Sequence, residues 1–181
     1  MPKTWKGVVR SFNGSPEEIR GYFPHLPDLV AQFPLDVALA YMFSRVELAQ
    51  NMTLYCGVVK LHRADATLAR SAIDRFRLTR DGFIEMFNTV FGTKVPKNIR
   101  DEMQYAERVR DRVMHGKSTS EQQKRTALAR ILKYAEQFNG LVDGAGGFRP
   151  FTPGLRGFKG RAASLDKSTT RWILKGMGFA V

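Results

Sequence analysis

Apolar residues recur at helical spacing through most of this chain. The longest such stretch covers about residues 35–62, where every third or fourth position is apolar; it predicts one long helix, with Gly57 as the site of a kink. A second helix is predicted over about residues 65–77. The next segment, DGFIEMFNTVFG, either extends that helix or forms a partner helix that ends near Gly92.

Two more helices are predicted from their start and stop signals. The third begins after VPKN and runs from about Ile99 to His115, where Gly116 stops it. The fourth begins at Ser118 to Ser120, because Ser118 and the glutamate three residues later are spaced as a capping box. Short turns between helices favour antiparallel packing, so residues 35–140 are predicted to form a helical bundle.

The two ends of the chain lack this periodicity. Residues 1–34 hold several prolines and are predicted as an N-terminal arm followed by an irregular segment that wraps the body. Between the two, a helix start is predicted with Ser15 as N-cap and Pro16 at the first position. Residues 141–181 form a Gly/Pro-rich basic tail, with one short helix near Thr169 to Lys175 that docks Trp172 and Ile173. The predicted fold class is therefore all-α: an antiparallel four- to five-helix bundle between an irregular N-terminal segment and a basic C-terminal tail.

Composition and charge narrow the class of protein. A hydrophobic share of 43% over 181 residues suffices for one compact domain, and the formal net charge of +12 attracts polyanions such as RNA. A single cysteine, Cys56, and an N-terminus without an apolar leader predict a cytoplasmic protein. No membrane contact is predicted, because the longest apolar stretch is interrupted by Asp36, Arg45, Glu47 and Lys60.

One charged residue interrupts the apolar stripe of the third helix. Arg110 is placed near the middle of that stripe, whose apolar members are Ile99, Met103, Ala106 and Val113. A buried guanidinium needs a partner. Arg110 therefore snorkels, pairs with a carboxylate such as Glu47, or faces a second molecule. His115 precedes Gly116, the glycine that stops the third helix. It either interacts with the helix C-terminus or transfers protons.

Arg110, Asp111 and His115, in the sequence R-D-R-V-M-H-G, together resemble the R-x4-H motif of the HEPN family. That family carries the motif at the end of the penultimate bundle helix of basic, all-helical chains. The resemblance covers residues 110–116 as sequence and about residues 35–140 as architecture. It implies a metal-independent, cofactor-free endoribonuclease that acts as a homodimer, as a toxin or defence effector, with an antitoxin or regulatory protein as a further partner.

These residue types suit RNA cleavage. The 2′-hydroxyl of RNA is the nucleophile, so the protein supplies proton transfer through His115 and a cation for the phosphorane through Arg110. Asp111 orients one of these two side chains. Five residues at about 100° each place Arg110 and His115 about 140° apart around a helix. Both reach one phosphate only if the last turn unwinds before Gly116, or if two chains combine.

Further basic residues are candidates for RNA binding. They are Arg108, Arg112 and Lys117 at the end of the third helix, and Arg149, Arg156, Lys159 and Arg161 in the tail. In the tail, phenylalanines between the arginines either stack on unpaired bases or pack against the bundle. Lys117 stands where HEPN toxins that are silenced by nucleotide transfer have a tyrosine, which argues against that mode of regulation here.

Other chemistries find little support in the sequence. The three histidines are scattered without metal-ligand spacing, no phosphate-binding glycine motif is present, and Cys56 is predicted to be a small core residue. Two functions remain beside the nuclease. One is a non-catalytic helical module that binds nucleic acid or a protein, and the other is a structural helical protein whose charge keeps it soluble.

Overall fold

A computed structural model describes residues 2–76, 79–155 and 164–181 of the chain. Within these ranges all regular secondary structure is helical. The helices are α1 (Trp5–Asn13), α2 (Glu17–Tyr22), α3 (Leu26–Gln32), α4 (Leu35–Leu61), α5 (Ala66–Arg75), α6 (Arg80–Phe91), α7 (Lys97–Met114), α8 (Glu121–Gly146) and α9 (Lys167–Gly176). None of the helices in the described ranges is long and apolar enough to cross a membrane.

The chain divides into two compact units. Unit 1 comprises Met1–Glu47, Pro96–Gly140 and Phe151–Gly154. Unit 2 comprises Leu48–Val95, Leu141–Pro150 and Leu155–Val181. The residues predicted as one bundle are thus shared between two units, and the two longest helices, α4 and α8, each contribute residues to both.

The all-helical class and the helices from α4 to α7 are confirmed. The segment after α5 forms a separate helix, since Thr79 is the N-cap of α6 and accepts a hydrogen bond from the Gly82 N–H. Gly92 ends α6 in the left-handed conformation at φ +65°. Gly57 of α4 serves close packing, because a methyl group there would lie 2.6 Å from Val90 Cγ1 of α6. Asp65 caps α5 by accepting a 3.0 Å hydrogen bond from the Leu68 N–H.

The prediction of an irregular N-terminal segment over residues 1–34 is wrong. That segment forms α1, α2 and α3, and α1 packs against α3. The helix start predicted at Ser15 and Pro16 is present one residue later, since Pro16 is the N-cap of α2. Pro27, predicted as a breaker, lies in the first turn of α3. Proline is tolerated at these positions because the first N–H groups of a helix have no partner within it.

Two details of the C-terminal half also differ from the prediction. Ser120 and Gln123 form the capping box of α8, with a 3.2 Å bond from the Gln123 N–H to Ser120 Oγ and a 2.9 Å bond from the Ser120 N–H to Gln123 Oε1. In the terminal helix α9, Leu174 is buried, whereas Trp172 is 77% exposed and does not dock.

The core of unit 1 is closed by Phe151, which returns after α8 to a cluster of aromatic rings. Its ring makes edge-on contacts with Tyr22 at 5.3 Å and Tyr134 at 5.8 Å between centroids. The buried Asn139 side chain accepts a 2.7 Å hydrogen bond from the Phe151 N–H and donates a 3.0 Å bond to the Phe151 carbonyl oxygen. One amide therefore satisfies both backbone groups of a buried residue.

Substitution Asn139→Ala is expected to lower the free energy of unfolding by about 2–4 kcal/mol, because each buried backbone group left without a partner costs about 1–3 kcal/mol. Urea denaturation followed by circular dichroism measures this. Asn98→Ala, at an exposed position of α7, is the matched control and should change stability by less than about 0.5 kcal/mol. Equal effects of the two substitutions would contradict the role assigned to Asn139.

Candidate functional site

The end of α7, where the R-x4-H residues lie, is closed by a regular cap. Gly116 adopts φ +64°, its N–H donates to the Val113 carbonyl at 3.0 Å, and the Lys117 N–H donates to the Arg112 carbonyl at 2.8 Å. These two bonds form a Schellman motif, which satisfies carbonyls at the helix end. The last turn of α7 is therefore intact, so unwinding does not bring His115 to Arg110.

The apolar stripe of α7 passes beside Arg110. The helix buries Ile99, Met103, Ala106 and Val109. The prediction that Arg110 occupies the middle of the stripe is wrong by one position, since Val109 takes that place and Arg110 is only partly buried. Val109 and Arg110 lie three and four residues after Ala106, so either fits a repeat of 3.6 residues per turn. The apolar Val109 is the one that is buried.

Arg110 is held by contacts within its own unit. Its guanidinium carbon lies 4.5 Å from the centroid of the Phe43 ring of α4. Nε and Nη2 donate hydrogen bonds to Asp111 Oδ1 at 3.1 and 2.9 Å, and Nη1 lies 3.7 Å from Glu47 Oε1. The pairing with Glu47, one of the alternatives that the sequence left open, is therefore present.

An open cavity of about 420 Å³ lies beside this arginine. Its polar lining comes from Arg110, Asp111, Glu47, Asp36 and Ser44, and apolar residues of α4 and α7 form the rest, Met114 among them. Three carboxylates thus accompany one guanidinium. The lining carries an excess of negative charge, which favours a cationic group and opposes a free phosphate.

His115 lies exposed at the C-cap of α7 and is not part of the cavity lining. A single chain therefore does not bring His115 and Arg110 to one cavity. Arg108, Arg112 and Lys117 are exposed as well, and Arg112 Nη2 donates a 2.7 Å hydrogen bond to the Ser118 carbonyl oxygen. The C-terminal end of α7 therefore presents four nitrogen-bearing side chains to solvent: Arg108, Arg112, His115 and Lys117.

The tail candidates are only partly described. Arg149 pairs with Asp143, with Nε and Nη2 both 3.0 Å from Oδ2. Phe148 and Phe151 are fully buried, so these two rings pack in the protein and do not stack on bases. The remaining tail candidates lie outside the described residues: Arg156, Lys159 and Arg161.

Other reactive side chains have structural roles. Cys56 is fully buried, as predicted, and burial raises the pKa of its thiol to about 12, so the nucleophilic thiolate is suppressed. His62 Nε2 donates a 2.7 Å hydrogen bond to the Val90 carbonyl oxygen. Within the described ranges, no three His, Cys, Asp or Glu side chains are grouped so that they could hold a metal ion.

A shared ion pair that the sequence did not predict lies beside the Arg110 cavity. Lys124 Nζ lies 2.7 Å from Asp36 Oδ1, whose residue lines the Arg110 cavity, and 3.2 Å from Glu121 Oε1. The hydrogen bond to Asp36 is the main cause of a raised Lys124 pKa, which keeps the ammonium charged. Only the spacing of Lys124 and Glu121, three residues apart, was visible beforehand.

The Schellman cap predicts opposite effects for two glycine substitutions. Gly116→Ala should lower the free energy of unfolding by about 1–2 kcal/mol, because alanine is strained at positive φ. Gly140→Ala, inside α8, should raise it by about 0.5–1 kcal/mol through helix propensity. Neither added methyl group would meet an atom within 4 Å. Chemical denaturation measures both values, and a shared sign would contradict the cap geometry.

No protein-family model, curated protein or solved structure matches this chain. The HEPN resemblance therefore stands on residues 110–116 and on the helical class alone. The choice between the candidate functions therefore rests on the geometry around Arg110 and His115.

Proposed function

We propose that this chain is a metal-independent endoribonuclease of HEPN type, a toxin or defence effector that works as a homodimer. One observation carries the proposal: Arg110 lines an open cavity, and His115 lies exposed at the capped end of the same helix. Because the two side chains do not meet within one chain, a second copy completes the site. The net charge of +12 supports RNA as the substrate.

In the proposed reaction the 2′-oxygen of RNA attacks the adjacent phosphorus. His115 of one copy takes the 2′-hydroxyl proton, and His115 of the other copy gives a proton to the departing 5′-oxygen. Arg110 stabilises the phosphorane, and Asp111 orients the guanidinium through the hydrogen bonds to Asp111 Oδ1. The products are a 2′,3′-cyclic phosphate and a 5′-hydroxyl, and the reaction needs no cofactor.

Phosphate binding at Arg110 requires that Glu47 give up its pairing with the guanidinium. Glu47 and Asp111 are 63% and 57% exposed, and exposed ion pairs contribute only about 0–1 kcal/mol. Hydrogen bonds to charged groups contribute about 1.5–3 kcal/mol, so a two-pronged contact from Arg110 to phosphate outweighs the 3.7 Å pairing with Glu47. Glu47 is the partner that RNA displaces.

A second function is favoured by the charge of the cavity. Three carboxylates beside Arg110 suit a basic side chain from a partner protein better than a phosphate. In that case the chain is a non-catalytic module for protein or nucleic-acid interaction. RNA or DNA would then bind through exposed residues such as Arg108 and Lys117, with affinity that falls as salt rises and without turnover.

Purified protein is expected to cleave single-stranded RNA in the presence of EDTA and to leave 2′,3′-cyclic phosphate ends. His115→Ala and Arg110→Ala should each lower the cleavage rate by about 100-fold or more. Proton transfer by a positioned side chain contributes about 10²–10⁴-fold, and loss of one donor to the charge of a transition state costs about 10²–10³-fold. Denaturing gel electrophoresis of a labelled RNA measures the rate, and mass spectrometry identifies the ends.

The matched controls are His25→Ala and Arg100→Ala, which alter an exposed histidine and an exposed arginine of unit 1 away from the motif. Both should retain cleavage. Full activity of His115→Ala would remove His115 from the site. Salt-dependent RNA binding without any cleavage by the wild type would favour the non-catalytic module.

A further inference from the structure

A second cavity, of about 360 Å³, lies in unit 1 and shares no lining residue with the Arg110 cavity. Its lining includes Lys3, Trp5, Phe33, Glu121 and Arg125. These residues come from the start of α1, the end of α3 and the first turns of α8. The volume falls within the range of about 300–1,000 Å³ that is typical of small-molecule sites.

Arg125 makes no hydrogen bond or ion pair with any residue that the structure describes, and its Nε is buried without a partner. Within the described residues, no carboxylate therefore competes with a bound anion for this guanidinium. The planar guanidinium fork matches a phosphate, and Lys3 adds a second charge. The Glu121 carboxylate is partly neutralised by Lys124 at 3.2 Å.

Two aromatic rings accompany these cations. Trp5 is 43% and Phe33 is 52% exposed, although both belong to helix ends that pack in unit 1. Large aromatic side chains in a concave, cationic site are suited to a planar ring with an attached anion. A nucleobase stacked on such a ring contributes about 1–3 kcal/mol.

We propose that this cavity binds a nucleotide, with the base against Trp5 and Phe33 and the phosphate on Arg125 and Lys3. The nucleotide is either free or an unpaired residue of single-stranded RNA, since both present the same base and phosphate. Unlike the Arg110 cavity, whose lining has an excess of carboxylates, this cavity has two cations against one carboxylate. The inference is independent of the proposed nuclease activity.

Binding is measured by quenching of Trp5 fluorescence in a Trp172→Phe background, which removes the other tryptophan. AMP is titrated beside ribose 5-phosphate, which lacks the base, and adenosine, which lacks the phosphate. AMP should bind at least about tenfold more tightly than either, because base stacking and a charged hydrogen bond each contribute more than about 1 kcal/mol. Equal affinity for ribose 5-phosphate or adenosine, or no binding of AMP or RNA, would overturn the proposal.

A 2′-O-methyl oligoadenylate separates the two sources of nucleotide. It lacks the 2′-hydroxyl nucleophile, so its binding can be measured whether or not the protein is a nuclease. Tighter binding of the oligonucleotide than of AMP assigns the site to single-stranded RNA, and the reverse assigns it to the free nucleotide.

Variants then locate the binding. Arg125→Gln and Phe33→Leu are each expected to weaken AMP binding by about tenfold, through the lost phosphate contact and the lost ring. Arg100→Gln removes the same charge from an exposed position of α7 outside both cavities and should leave AMP binding unchanged. Thermal unfolding by circular dichroism verifies that each variant is folded. Equal weakening by Arg125→Gln and Arg100→Gln would show that only net charge matters and would overturn the assignment.

Discussion

The two hydrogen bonds between the Asn139 side chain and the Phe151 backbone are the constraint on which unit 1 depends. They hold the chain, after residues 141–150 of unit 2, at the ring cluster that includes Tyr22 and Tyr134. Because the amide is buried, no water can replace it at low cost. A segment rich in glycine and proline thereby becomes part of a core, although its composition is typical of an exposed tail.

Helices with caps and a clean apolar repeat were predictable from the sequence. The bounds of α4 and α7 differ from the predicted ones by no more than two residues, because their apolar residues and terminal signals agree. The helix start at Pro16 was predicted from the sequence, but α1 and α3 were missed. Pro27 was interpreted as a helix breaker, whereas it lies where a helix needs no N–H donor. The burial of Phe148 and Phe151 depends on residues distant in sequence, which local composition does not encode.

At the candidate site, too, the local sequence did not determine which residue is buried. Helical periodicity located the end of α7 and its glycine, but could not decide between Val109 and Arg110 for the buried position. The partner Glu47 was among the expected ones, since it lies on the long helix that packs nearby. The contributions of Asp36 and Phe43 depend on how α4 and α7 lie together, which the sequence does not show.

Lys124 connects two cavities of unit 1 through one ammonium group. Its two carboxylate partners belong to different linings, Asp36 to the Arg110 cavity and Glu121 to the cavity that contains Arg125. A ligand that neutralised Asp36 would leave Glu121 as the carboxylate partner of Lys124. One lysine charge is thus shared between the linings of two cavities.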